Sequence, residues 1–152
     1  MDIHQELQRL LSLKSMHKLY SPLSEEDYLK AVSELGIELP SDLKTVLKAF
    51  DGAELFKPGI TFYGLTSKPM LSSINDVNIK MKDLYSIPKN YIVFGRLNFG
   101  DLLCINLKNE HDIIEWDHET DMEVCSWDNL SELIHEEIQN FNDHFMEDSN
   151  EN

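Results

Sequence analysis

Beyond residue 90 the apolar residues change period, and this change limits what the chain can fold into more than any other feature. The runs YIVF, DLLCINL, DIIEWD and EVCSW are too short for helices and rich in β-branched and aromatic residues. Only GRLNFG, KNEH and HETD separate them. Parallel strands need crossovers of about a dozen residues or more, so connections this short join neighbours in an antiparallel meander. Two further runs, ELF and ITFYG, flank the turn signal KPG and add an earlier strand pair.

Helical spacing surrounds these strands. HQELQRLLSL places Leu7, Leu10 and Leu11 on one side of a first helix. In the second, Ser24 is placed to cap, Asp27 follows at the capping-box position, and Gly36 ends the helix. Its buried stripe is expected to contain Tyr28, Leu29, Val32 and Leu35. SDLKTVLKAFDG repeats Leu43, Val46, Leu47 and Phe50 at helical spacing, with Gly52 read as the C-terminal stop. SSINDVNIKMKDLYS follows, capped by Ser73 and buried through Ile74, Val77, Met81 and Leu84. A last helix from about Asp128 presents Leu130, Leu133, Ile134, Ile138, Phe141 and Phe145. The chain therefore predicts an α+β fold, an antiparallel sheet of five or six strands with helices on one main face. Its 152 residues suit a single domain, 1–152, with a core over about 24–141 and a frayed acidic tail at 146–152.

The charge is segregated. Residues 1–108 hold 13 acids and all 13 Lys and Arg, whereas residues 109–152 hold 15 acids and neither basic residue. The whole net charge of −15 thus lies on the last third. Such a field repels nucleic acid and speeds encounter with a basic protein; a solubilising acidic face is the plainer alternative. Asp2 and Glu6 stand where a signal peptide would be basic, and no apolar run approaches the ~20 residues of a membrane span. A cytoplasmic protein without a membrane partner is expected. Cys104 and Cys125 form no CxxC pattern and are expected to be buried, reduced thiols.

The stretch EWDHETD, 115–121, gathers carboxylates and a histidine around Trp116. Strand alternation sets Ile114 and Trp116 on one face and Ile113, Glu115 and Asp117 on the other. Trp116 then covers the core edge while the acids look outward. Glu115 and Asp117 are hard oxygen ligands, but DHETDMEV lacks the glycine of a calcium loop, so no metal site is expected. Asp117 and His118 are consecutive in a strand and form no ready dyad, and HEEIQ at His135 fails as HExxH. His111, His118, His135 and His144 are read as solvated. Nucleophile-elbow, P-loop and dinucleotide motifs are absent, so neither a catalytic residue nor a cofactor is expected. A paired-carboxylate hydrolase built from distant segments stays an alternative. Two glycine sites, Asp51-Gly52 and Gly100-Asp101, look structural, the second relieving a turn and aiming Asp101 outward.

Together SELGIELPSDLKTVLKAFDGAEL (33–55), IPKNYIVFGRLNFGDLLCINL (87–107), DIIEWDHET and SWDNLSELI resemble the SUKH superfamily of bacterial immunity proteins and yeast cell-wall-synthesis regulators. The chain departs from the family pattern at Asp51, usually Asn, and Ala53, usually Gly. Within the superfamily it resembles the YobK-type proteins encoded beside LXG-class toxins. That resemblance implies a non-enzymatic immunity protein that binds the C-terminal domain of a toxin, often a nuclease. Glu115, Asp117, Glu119 and Asp121 are then expected to meet basic toxin residues, with Asp101 and Trp116 near the rim. The yeast relatives imply the other reading, a regulatory interaction adaptor.

Overall fold

The computed structural model describes residues 2–56, 59–109 and 112–150, the side chains of 146–150 excepted. Lys57 and Pro58 of the KPG turn, His111, and residues 151–152 of the expected tail lie outside the described residues. Helices α1 (Ile3–Ser12), α2 (Glu25–Leu35) and α3 (Ser41–Ala49) enclose a short β1 (Lys18–Leu19) and precede β2 (Ala53–Leu55) and β3 (Ile60–Phe62). Then come α4 (Ile74–Leu84), β4 (Tyr91–Leu97), β5 (Leu102–Asn106), β6 (Ile113–Asp117), β7 (Met122–Trp127) and α5 (Leu130–Asn150). All seven strands form one antiparallel sheet in sequence order. The α+β fold is therefore as expected. The additional strand is β1, whose two residues pair with Ala53 and Glu54 and are too few to show a period.

The expected caps form. Ser24 Oγ accepts from Asp27 N and Ser73 Oγ from Asp76 N, each at 3.1 Å, satisfying donors that a helix start leaves open. Gly36 closes α2 in the left-handed region. Other expectations are corrected. Leu29 is 57% exposed and Leu84 also faces outward, because α2 and the end of α4 lie at the surface with only part of their stripes buried. Helix α3 ends at Ala49, and Gly52 is no helix stop. Gly52 instead has φ +97°, and a Cβ there would lie 2.6 Å from Leu71 Cδ2 and 3.0 Å from the Gly64 nitrogen. Helix α5 continues to Asn150, into the segment expected to fray.

Packing differs from a sheet with one covered face. Every residue from Ile92 to Gly95 and from Leu102 to Ile105 is buried, so both sheet faces are covered at the centre. Helices α1, α3 and α5 pack on one another, and α4 packs separately on β4. There the Asn78 side chain substitutes for a strand: its amide donates to Val93 O and its carbonyl accepts from Val93 N, both at 2.8 Å. The buried Glu6 of α1 accepts from Arg9 at 3.0 Å and meets His135 Nδ1 of α5 at 3.2 Å, which takes His135 out of the solvated set.

Candidate functional site

The site grows from the register of three strands. Leu102 pairs with Trp116 and Cys104 with Ile114, while Leu103 pairs with Glu115 and Glu115 with Cys125. Trp116 and Glu115 consequently leave opposite faces, as alternation predicts. The face opposite Trp116 is not open water, however. It carries the fully buried Ile113 and also Trp127, whose Nε1 donates to Glu136 of α5 at 2.6 Å. Glu115 is half-buried there rather than fully solvated.

Asp101 joins this face from the β4–β5 turn. In that turn Leu97 N donates to Asp101 O at 2.8 Å and Gly100 N to Leu97 O at 3.0 Å. Gly100 has φ +107°, and a Cβ there would stand 3.1 Å from the His118 ring, so glycine leaves room for the imidazole. The expectation that Asp101 points outward is overturned, since it is only 5% exposed. Its Oδ1 accepts from His118 N at 3.1 Å and contacts His118 Nδ1 at 2.7 Å. The partner of His118 is thus Asp101, 17 residues away, and not the adjacent Asp117. His118 is not a freely solvated side chain either.

Electrostatics follow from this crowding. Burial pushes the Glu115 carboxyl up to about 7, helped by a proton shared with Asp101 and by the charges of Asp101, Asp117 and Glu136. Burial also pushes Asp101 up, but its bonds with Glu115 and His118 outweigh that and hold it below the usual carboxylate range. The Asp101 bond raises His118 against a smaller opposing effect of desolvation. Three carboxylates, Asp101, Asp117 and Glu119, therefore act on one imidazole. Cys125 in this cluster is exposed, correcting the expectation of a buried thiol, whereas Cys104 is buried and pushed up to about 12 by desolvation.

The other expected residues have distinct places. Asp117 Oδ1 accepts from Glu119 N at 2.8 Å and Thr120 N at 3.3 Å, capping the β6–β7 turn. Glu119 is exposed, its carboxylate 3.9 Å from His118 Nε2. Asp121 adopts φ +57°, which aspartate tolerates, and its carboxylate accepts from Ser86 N at 2.9 Å and Trp116 Nε1 at 3.0 Å. The Ser86 bonds, then the Trp116 bond, hold Asp121 below its ordinary range. Trp116 itself is 7% exposed and packs edge-on to Tyr91, with ring centroids 6.3 Å apart. Of the six expected contact residues, Asp101, Glu115 and Asp117 share one cluster. Trp116 and Asp121 brace the opposite face, and Glu119 tips the turn. Sequence spacing does not mark Glu136 or Glu123; Glu123 sits opposite Trp116, and a period-2 count misses it because the β6–β7 register shifts after Glu115.

Ligand atoms of Asp101, Asp117 and His118 lie within 4.8 Å of one another. A cation bound there competes with the His118–Asp101 contact and the Asp117 turn cap, so ion pairing within the chain already uses this donor set. Among the described residues no helix is long and apolar enough to cross a membrane. Comparison with protein-family models matches the SMI1 / KNR4 family (SUKH-1) over residues 22–136. A search of curated proteins gave no significant match.

Proposed function

The chain belongs to the SMI1 / KNR4 family (SUKH-1), a family associated with immunity proteins, and from that premise we propose that it neutralises a toxin by binding its C-terminal domain. The toxin is of the LXG type and a nuclease, and the chain covers its active or substrate-binding surface with the acidic end of β5, β6 and β7. The observation that carries this reading is the gathering of Asp101, Asp117 and Glu115 at one end of the sheet with His118 as the one cation-forming side chain among them, where burial first, then the bond to Asp101 and the charges of Asp101, Asp117 and Glu136, push the Glu115 carboxyl up to about 7. Carboxylates that repel one another are relieved by an arriving cation, and a nuclease cleft must be basic to hold a polyanion. Acids over residues 109–152, unaccompanied by Lys or Arg, extend the same field and steer such a partner.

Co-expression with the toxin domain encoded by the adjacent gene tests the proposal. Rescue of growth is expected, and it is lost on reversing the charges at Glu115, Asp117 and Glu119. Glu119→Lys with Glu123→Lys alters only exposed side chains and separates recognition from folding. Persistent nuclease activity with no complex on mixing the purified pair rules the reading out. Several endogenous partners and no adjacent toxin gene favour the adaptor role instead.

A further inference from the structure

The two edges of the sheet are finished differently. At one end β1 has two residues, and the chain after it bonds straight back: Tyr20 N donates to Gly52 O and Asp51 N to Tyr20 O. At the other end β7 has six residues, of which Met122 to Ser126 are all exposed. Among the described residues its only strand neighbour is β6, which leaves its outer backbone groups open. Edge strands are usually blunted by lysine, proline, brevity or a bulge; MEVCSW has no lysine or proline and is not short, and its one such device is the bulge at Val124. Met122 is 60% and Val124 52% exposed, so apolar side chains accompany the open backbone.

Charge decides what fits. Glu123 lies on this edge, Glu115 and Asp117 on the strand beside it and Glu136 on the following helix, and no Lys or Arg occurs after residue 108. Pairing β7 with β7 of a second copy brings these acids together between chains that each carry −15, so self-pairing is disfavoured. An extended segment bearing lysine or arginine meets the opposite situation. Its backbone satisfies the open groups, its apolar residues cover Met122, and its cations on the alternate face meet Glu123 while the carboxylate cluster beside them adds longer-range attraction.

We infer that the outer edge of β7 takes up a basic, extended segment of a protein partner as an eighth strand. The inference rests on the reading of this end of the molecule as a surface for a basic toxin, and supplies its mode of docking.

The probe is a blocked peptide of alternating valine and lysine, about eight residues long, with a valine–glutamate peptide as control. Residue-resolved amide exchange at low salt is expected to slow by about tenfold or more within Met122–Ser126 for the lysine peptide only. Val124→Lys is expected to weaken peptide binding about tenfold with unchanged melting, since a lysine on the edge opposes a cationic strand. Val124→Pro is the harsher variant, and the lysine variant keeps the test sound if it misfolds. No protection, protection spread over other acidic surface, or a β7-paired dimer in sedimentation overturns the inference. A complex with the toxin domain that leaves β7 amides exchanging freely overturns it while the immunity reading survives. Protection by the peptide with no binding to the toxin domain does the reverse.

Discussion

Two buried aspartates, each beside a glycine with positive φ, are handled in opposite ways. Asp51 is 0% exposed, and its carboxylate accepts from Leu65 N at 2.6 Å, from Thr66 Oγ1, and from Lys68 Nζ at 2.5 Å. Lys68 also donates to the Asp51 carbonyl and to Thr66 O. The donors there match the negative charge. Asp101 is buried nearly as well, yet its neighbours are Glu115, Asp117 and the single imidazole of His118. One site is closed on itself and holds the α3–β2 corner to the segment before α4. The other retains surplus negative charge at the surface end of the sheet. Residue type and burial are shared, so the difference in partners separates a structural carboxylate from one suited to recognition.

Substitutions should widen that contrast. Asp51→Ala leaves the Lys68 ammonium partly buried without its carboxylate, and is expected to cost about 3–5 kcal/mol in chemical denaturation. Binding to a partner should survive in whatever fraction remains folded. A loss under about 1 kcal/mol would mean that solvent readily replaces this pair, and the comparison would break. Asp101→Asn should cost less than Asp51→Ala, because the amide oxygen still accepts from His118 while repulsion of Glu115 falls. The sharper readout is the His118 ring by NMR titration, which should return downward toward the ordinary imidazole range; an unmoved ring would place its perturbation elsewhere.

Glu115→Gln has the smallest expected effect. The Glu115 carboxyl titrates near 7 when folded against an ordinary value of 4.5. The folded state therefore binds more protons between those values, and stability falls as pH rises through that window. Glutamine removes this slope, so the variant should match the parent near pH 4 and gain on it by pH 8. Solvent screening keeps the gain under about 1 kcal/mol. A variant that lost stability at pH 8 would show that ionised Glu115 is already well compensated.

How much of this could be read from the chain depended on the distance between partners. Ser24, Ser73 and Gly36 act within one turn of a helix, and the short connections of the meander leave neighbouring strands little choice but to pair. The SUKH resemblance carried by residues 33–55 and 87–107, DIIEWDHET and SWDNLSELI agrees with the family match over 22–136. Asp51 was legible only as part of a presumed helix stop, because Leu65, Thr66 and Lys68 reach it from another loop. The neighbours of His118 in the chain do not supply its partner, which comes from the β4–β5 turn. The shifts at Val93/Gly95 and Glu115/Trp116 escape any strict period-2 reading. Acid segregation was visible by counting, but which acids crowd into one cluster required the fold.

The central claim is that the β5–β7 end of the sheet recognises a basic partner through its surplus charge. Its most direct test is stopped-flow association with the C-terminal domain of the toxin proposed as its partner, measured across ionic strength. The parent rate is expected to fall about tenfold or more from low to high salt, and Glu119→Lys with Glu123→Lys should slow it at low salt and flatten that dependence. A rate indifferent to both salt and charge reversal would contradict the account.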